Sequence, residues 1–282
     1  LPYDRQARRQ MAGMGYLETI TYSFIEESLA KSFGGGNASL KLANPIDEAT
    51  MSDMRPSLLP GLLDAAAKNT ARAEETIRLG EVGNTFHTEG ETLRAAGVLT
   101  GSSHARHWRE KPQKADVFTA KAHLLQLVES FGHDTSRLQV EQGGPEWFHP
   151  GRSGTLKQGK TVLGWFGDVH PAITKKLGLK KAVAAFELDL TALSTAKIKA
   201  PAFTLSPYQP VTRDLAFVVD ADVPAGDMLT TLRGVDKDLV KDVILFDVYE
   251  GDKLPDGKKS LALSLTLQAA DRTLTDEEIR AI

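Results

Sequence analysis

The sequence contains no cysteine, which excludes disulfide bonds, thiolate nucleophiles and zinc sites with cysteine ligands. It also lacks an apolar run of about 18 residues, the length that a membrane-spanning helix needs. Positive charge is not in excess, because the net charge is -3. No global positive field therefore draws the chain onto nucleic acid, and any RNA contact has to be local.

Neither an initiator methionine nor a signal-peptide pattern is found in residues 1–5. We therefore expect a fragment of a longer, cytoplasmic protein. The 282 residues are 41% hydrophobic and 25% charged, which is typical of globular protein and long enough for two cores. Three prolines fall between Ala200 and Pro210, a composition typical of a linker. This predicts one domain over residues 1–200 and a second over residues 201–282.

The first domain is predicted to be α+β, because its strands outnumber its helices and short turns join them. A mainly antiparallel sheet with packed helices follows from this order. Periodicity predicts helices over 4–14, 58–73 and 118–131, and strands over 18–24, 77–82, 93–99, 162–166 and 184–190, with a further strand around Thr155. Ser57 is the expected N-cap of the second helix, and Pro60 falls in its first turn. Gly34 to Gly36 predicts a flexible turn.

The second domain follows the order βαββα. Leu215, Phe217 and Val219 alternate along its first strand, and a helix is predicted over 225–232. Two more strands are predicted over 244–249 and 260–268. Thr275 and Glu278 form a capping box that begins a second helix. This order predicts a ferredoxin-like unit that is truncated before its closing strand.

One face of this second sheet is a candidate RNA-binding surface. Alternation places the leucines, Phe217 and Phe246 under the helices, and small or polar residues on the other side; the latter are Asp247, Tyr249, Ser260, Ala262 and Ser264. Tyr249 can stack on a base, and Asp247 can accept hydrogen bonds from the N1–H and N2–H groups of guanine. The alternative is an ordinary solvated sheet face.

Other polar candidates carry weaker signals. His149 and His170 each precede a proline, and no third ligand follows at metal-site spacing, so we assign no metal site. Arg152 lies between glycines and is a possible phosphate or subunit contact, with a structural ion pair as the alternative. The aromatic residues at 147, 148, 165 and 166 are expected in the core or at a subunit interface. We assign no catalytic residue.

Seven motifs in a fixed order resemble the β subunit of bacterial phenylalanyl-tRNA synthetase. They are Asn44-Pro45-Ile46 with Met54 to Leu63, Arg78 to Gly83, His149 to Gly154, Gly164 to Pro171, Arg213 to Val219, Phe246 to Gly251, and Arg272 to Glu278. The resemblance implies a class II synthetase-like core over residues 1–200 and a ferredoxin-fold anticodon-binding domain over residues 201–282.

The resemblance also implies which subunit binds the substrates and which contacts the tRNA. ATP, Mg²⁺ and phenylalanine would be held by a catalytic α subunit, in an assembly with two copies of each subunit that binds phenylalanine tRNA. This chain would bind no cofactor, because the glycine-rich strand ending in arginine is missing, and Arg55 and Arg78 would bridge to carboxylates or to the partner. Asp247, Tyr249 and Ser260 would contact the anticodon.

Three further expectations concern the contact with the α subunit, the strength of RNA binding and the alternative functions. The α subunit is expected to pack on Leu17, Ile20, Tyr22 and the helix region over 58–67. Residues 201–282 contain 9 Lys+Arg and 15 Asp+Glu, a balance of -6, so RNA binding by this domain alone would be weak. The alternatives are a stand-alone enzyme with a carboxylate–arginine site, a small-ligand sensor, and an assembly module whose RNA face is inert.

Overall fold

The computed structural model describes residues 3–102, 107–109, 111–196, 198 and 205–281. Contacts between α-carbons divide the chain into two compact units, residues 1–200 and residues 201–282. Residues 200–204 of the predicted linker lie outside the described residues, and residues 205–210 form no helix or strand. No helix in the described ranges has both the length and the apolar character needed to cross a membrane.

The first unit contains six helices and nine strands within its described part. The helices are α1 (Tyr3–Gly13), α2 (Glu27–Ser32), α3 (Leu59–Ala71), α4 (Val117–Ser130), α5 (Pro171–Lys176) and α6 (Leu190–Thr195). The strands are β1 (Leu17–Glu18), β2 (Phe24–Ile25), β3 (Asp53–Met54), β4 (Ile77–His87), β5 (Gly90–Thr100), β6 (Gln139–Gln142), β7 (Phe148–Gln158), β8 (Thr161–Val169) and β9 (Val183–Asp189).

Seven of these strands form one sheet in the order β1-β4-β5-β9-β8-β7-β6. β1 runs parallel to β4, and every other neighbouring pair is antiparallel. The short strands β2 and β3 pair with each other. The predicted α+β fold with a mainly antiparallel sheet is therefore confirmed.

Helices cover both faces of this sheet. On β5, Ala95 and Leu99 pack into a core that includes Leu124 of α4, whereas Ala96 and Val98 pack into a second core with Leu62 of α3. Side chains alternate between the two faces of a strand, so a central strand buried on both sides becomes continuously apolar. This is why β5 and β9 carry long apolar runs.

A buried carboxylate attaches α3 to the centre of the sheet. Glu187 lies on β9 with 0% of its surface exposed, and Arg94 Nη1 on β5 lies 3.1 Å from its Oε2 atom. Ser57 Oγ lies 3.0 Å and 3.1 Å from its two carboxylate oxygens, and the Leu58 N–H donates to Oε1 at 2.8 Å. Trp165 of β8 packs its ring against the Arg94 guanidinium, 5.3 Å from the ring centre. The buried pair of Glu187 and Arg94 therefore connects β5, β8 and β9 to the start of α3.

The second unit has the predicted βαββα order. Its elements are β10 (Val211–Asp220), α7 (Ala225–Val235), β11 (Val240–Tyr249), β12 (Lys258–Leu267) and α8 (Asp276–Ala281). β12 lies in the middle of the sheet and pairs antiparallel with both β10 and β11. The capping box is present, because the Glu278 N–H donates to Thr275 Oγ1 and the Thr275 N–H donates to Glu278 Oε2.

The predicted strand over 18–24 is wrong. Only Leu17–Glu18 and Phe24–Ile25 of this segment are strands. Between them the Thr19 N–H still donates to the Gly80 carbonyl of β4, but Thr21 bonds to buried side chains. Thr21 Oγ1 donates to Glu81 Oε2 at 2.7 Å, and Arg55 Nη1 donates to Thr21 Oγ1 at 2.9 Å. The β-branched alternation predicted a continuous strand but could not specify the hydrogen-bond partners of Thr21.

The helix predicted over 58–73 is confirmed with small changes at its ends. It begins at Leu59, so Leu58 is its N-cap, but Ser57 Oγ still accepts the Leu59 N–H at 3.1 Å. The expectation that the region over 58–67 offers a subunit surface is wrong for its leucines. Leu59, Leu62 and Leu63 are fully buried against the sheet of the same unit.

Replacing Glu187 by alanine is expected to lower the free energy of unfolding of the first unit by about 3–5 kcal/mol, because Arg94 would stay buried without its counterion. All three tryptophans lie within residues 1–200, so a urea titration followed by tryptophan fluorescence reports on this unit. Glu141→Ala is the matched control, since Glu141 pairs with Lys157 at the surface, and its loss should cost less than about 1 kcal/mol. Equal effects of the two changes would contradict the assigned role of Glu187.

Candidate nucleic-acid interface

The sheet of the second unit has one covered and one open side. Leu261, Leu263, Leu265 and Leu267 of β12 are buried in a core with Leu232 of α7 and Ile279 of α8. The residues between them, Ser260, Ala262, Ser264 and Thr266, are only partly buried on the opposite side. These small side chains leave the open side flat in the middle of the sheet.

The strand register brings the three predicted contact residues together on the open side. Tyr249 pairs directly with Ser260, and Asp247 pairs with Ala262. From the other edge, Val218 pairs with Ser260 and Ala216 pairs with Ala262. Tyr249 is 41% exposed and Asp247 is exposed. The open side therefore presents the Tyr249 ring, the Asp247 carboxylate and the Ser260 hydroxyl next to the small side chain of Ala262.

A bulge in β11 alters which side Phe246 faces. Leu245 pairs with Leu263, but the next pair joins Asp247 to Ala262, so Phe246 has no partner of its own. Phe246 is 56% exposed and lies outside the helix-covered core, so its predicted place under the helices is wrong. A bulge adds one residue to one strand and breaks the simple alternation on which that prediction relied.

Asp214 was not identified from the sequence as part of this face. It pairs with Ser264, whose hydroxyl donates to Asp214 Oδ1 at 2.7 Å, and Ile244 completes the same row from β11. The signal was available, because Asp214, Ala216 and Val218 alternate with the apolar residues that were assigned to the core. Applying the two-residue period to both faces of the first strand assigns these three residues to the open side of the sheet.

The charge of this unit limits how it can bind RNA. Its balance of -6 repels phosphate, and the Lys258 ammonium at the rim already pairs with Asp220 at 2.6 Å. Stacking and hydrogen bonds to base edges do not depend on positive charge. The open face is therefore suited to contacting an unpaired base and not to binding the phosphate backbone of an RNA.

Two arginines of the first unit, Arg55 and Arg78, are held by protein groups. Arg55 lies 2.7 Å from Glu81, and its Nε–H donates to the Asn84 carbonyl at 2.9 Å. Arg78 donates to the Met14 carbonyl at 2.7 Å and lies over the Tyr16 ring. Burial raises the pKa of the Tyr16 hydroxyl above its ordinary value, so this tyrosine stays neutral. Polyphosphate would have to displace these internal bonds to reach Arg55 or Arg78.

The part of β7 that contains Arg152 is held by local bonds. Arg152 Nε donates to Asp168 Oδ2 at 2.6 Å while 52% of the arginine side chain is exposed. His149 Nδ1 accepts the Gly151 N–H, and His170 Nδ1 accepts the Ala172 N–H at the start of α5. Within the described ranges, no group of three or more His, Asp or Glu side chains is arranged to hold a metal ion.

Three of the exposed apolar or aromatic side chains of the first unit lie in β1 and in the segment that follows it. Leu17, Ile20 and Tyr22 are all exposed, with Ile20 at 86%. The aromatic residues at 147, 148, 165 and 166 are buried or partly buried, and Trp147, Phe148 and Trp165 pack in the core beneath α3. Of the apolar surfaces predicted for a partner, the one formed by Leu17, Ile20 and Tyr22 is open, whereas the leucines of α3 and these four aromatic residues are buried or partly buried.

His87 is expected to make the first unit less stable in mild acid. Arg94 Nη2 lies 3.0 Å from His87 Nε2, and burial, followed by the charge of Arg94, lowers the pKa of His87 below 6.5. The unfolded chain then binds the proton at a higher pH than the folded chain does, so stability present above about pH 6.5 is lost as the pH falls. Burial lowers the pKa values of His123 and His133 in the same direction.

We expect His87→Gln to make the unfolding free energy less dependent on pH between about 7.5 and 5.5, as measured by urea titrations at each pH. A glutamine keeps an acceptor for Arg94 but cannot take up a proton in this range. His107→Gln, which replaces an exposed imidazole, is the control and should leave the slope unchanged. An unaltered slope in His87→Gln would contradict this assignment.

Comparison with known proteins agrees with this geometry. Residues 2–190 match the family model described as the phenylalanyl tRNA synthetase beta chain CLM domain, and residues 206–282 match the ferredoxin-fold anticodon binding domain. A solved pyrrolysyl tRNA synthetase from Desulfitobacterium hafniense superposes with a TM-score of 0.51 at 15% identity, covering 68% of this chain and 66% of that one. That similarity supports the synthetase-like fold alone.

Relatives in bacteria are much closer in sequence. The phenylalanine–tRNA ligase β subunit of Rhodospirillum rubrum is 48% identical over 98% of this chain, and that of Brucella abortus is 47% identical over 99%. The chain spans only about a third of their length, 35% and 36% respectively. By both its family matches and these relatives, the chain belongs to the phenylalanyl-tRNA synthetase β chain family.

Proposed function

We propose that this chain is a non-catalytic portion of the β subunit of phenylalanine–tRNA ligase, the ATP-dependent enzyme that attaches phenylalanine to its tRNA. In this proposal the first unit supports the catalytic α subunit and the second unit binds the anticodon. The observation that carries the proposal is the grouping of Tyr249, Asp247 and Ser260 on an open sheet face. That face belongs to the unit matched by the anticodon-binding family model.

The chemistry of the face favours guanine, the first base of phenylalanine anticodons. The Tyr249 ring provides a stacking surface, and the exposed Asp247 carboxylate can accept from the N1–H and N2–H groups of a guanine. Ser260 can donate to or accept from the same base. An adenine has no hydrogen on N1 and no amino group at C2, so it would leave Asp247 without these donors.

The residues of the first unit do not fit an ATP site. Phosphoryl and adenylyl transfer need cations that face the phosphates, but Arg55 and Arg94 are buried and paired with Glu81 and Glu187. In the proposal, ATP, Mg²⁺ and phenylalanine are therefore held by the α subunit, and this chain binds no cofactor. The assembly holds two copies of each subunit and works in the cytoplasm, where tRNA is charged for translation.

The surface formed by Leu17, Ile20 and Tyr22 is the proposed contact with the α subunit. These three side chains are exposed although they are apolar or aromatic, and they lie in one short segment beside β1. Apolar side chains of this kind lose their contact with water when a partner packs on them. Arg152, which keeps half of its side chain exposed while paired with Asp168, is a second possible subunit or phosphate contact.

Replacing Tyr249 by alanine in the intact α/β enzyme is expected to weaken tRNA binding roughly tenfold or more, because one base loses its stacking partner. The measurement is the Kd for phenylalanine tRNA by filter binding, together with the KM for tRNA in aminoacylation. Phenylalanine-dependent ATP–pyrophosphate exchange needs no tRNA and should be unchanged.

Phe118→Ala is the control, because it removes an exposed aromatic side chain of similar size from the first unit. It should leave the Kd for tRNA at the wild-type value. If Tyr249→Ala binds tRNA as tightly as the wild type and Phe118→Ala do, the open face is inert and the proposal is wrong.

A further inference from the structure

Gly251 lies against the end of the Tyr249 side chain. β11 ends at Tyr249, and the chain then turns, with the Leu254 N–H donating to the Gly251 carbonyl at 3.0 Å. A β-carbon added at Gly251 would lie 2.7 Å from Tyr249 Oη and 2.8 Å from Tyr249 Cζ. Carbon atoms in contact are normally separated by about 3.5–4.0 Å. The ring therefore occupies the space that any other residue at 251 would fill.

The backbone itself does not require glycine at this position. Gly257, in the turn that follows, has a φ of 75°, a left-handed conformation in which other residues are strained. Gly251 is not among the glycines with positive φ, so an alanine can adopt its backbone conformation. What distinguishes position 251 is the tyrosine ring, and not the geometry of the turn.

The position of this ring is otherwise weakly determined. Tyr249 is the last residue of an edge strand, and 41% of its surface is exposed. A half-exposed side chain loses rotamer freedom when it stacks on a ligand, and a ring that is already held in place loses less. Contact between the ring end and the bare Gly251 backbone supplies such a restraint beside Ser260 and Asp247.

We propose that Gly251 is a positioning residue for base recognition: the absence of its side chain lets the Tyr249 ring lie where it can stack on the first anticodon base. This inference rests on the proposed function of the open face. It adds a residue that does not touch the RNA itself but sets the place of the residue that does.

The experiment is a double-mutant cycle in the intact α/β enzyme. The variants are Gly251→Ala, Tyr249→Ala and the two combined, and the readouts are the Kd for phenylalanine tRNA and the KM for tRNA. Gly226→Ala is the matched control, because it makes the same change in the same unit where no atom lies within 4 Å of the added carbon. Exchange of ATP and pyrophosphate verifies that each variant is folded and assembled.

We expect Gly251→Ala to raise the Kd about fivefold or more, with kcat at saturating tRNA unchanged, because stacking is lost and chemistry is not. In the Tyr249→Ala background the same change should alter the Kd less than about twofold, because no ring remains to be displaced. Gly226→Ala should match the wild type.

Two results would overturn the inference while leaving the proposed function intact. In the first, Tyr249→Ala weakens binding but Gly251→Ala does not. In the second, Gly251→Ala weakens binding equally in both backgrounds, which would show that it acts on the fold and not through Tyr249. If Tyr249→Ala itself has no effect, the proposed function fails, and this inference fails with it.

Discussion

The first unit depends on the charge of Glu187, which lies at the centre of a sheet that helices cover on both faces. A carboxylate with no exposed surface is stable only if its oxygens are fully bonded and its charge is balanced. Arg94, Ser57 and the Leu58 N–H supply those bonds, so the start of α3 has one permitted position on the sheet. Arg55 and Glu81 of β4 form a second buried ion pair, and both side chains hydrogen-bond to Thr21.

The same pairing neutralises charge on the synthetase-like sheet of the first unit. Arginines that could face phosphates on such a sheet are instead neutralised by carboxylates of the same unit. Function then depends on the surfaces that remain open, since a fold does not by itself determine an activity. The surfaces proposed for this chain are the apolar residues beside β1, for a protein partner, and the open sheet face of the second unit, for an unpaired base.

Most of the architecture could be predicted where local periodicity and burial agree. The βαββα order and the capping box at Thr275 followed from alternation and from the spacing of Thr275 and Glu278. The predictions failed where a long-range contact decided the outcome. The segment over 18–24 is a strand only at its two ends, and between them Thr21 bonds to Glu81 and Arg55, which lie far along the chain. No local pattern contains that information.

The candidate site shows the same limit at single-residue scale. Asp247, Tyr249 and Ser260 were grouped correctly because two-residue periodicity survives on either side of the bulge in β11. Phe246 was placed on the wrong side because the bulge itself leaves no mark in the alternation. Asp214 was missed because the two-residue period was applied only to the apolar residues of its strand. The role inferred for Gly251 depends on its distance from the Tyr249 ring, which the sequence does not contain.

The most direct test of the account is to locate the first anticodon base on the protein. A phenylalanine tRNA carrying 6-thioguanine at that position can be cross-linked by light to the intact α/β enzyme, and the attached peptide identified by mass spectrometry. The account predicts attachment within β11 or β12, at or beside Tyr249 and Ser260. Attachment to the first unit, or to α7 on the covered side of the sheet, would contradict it.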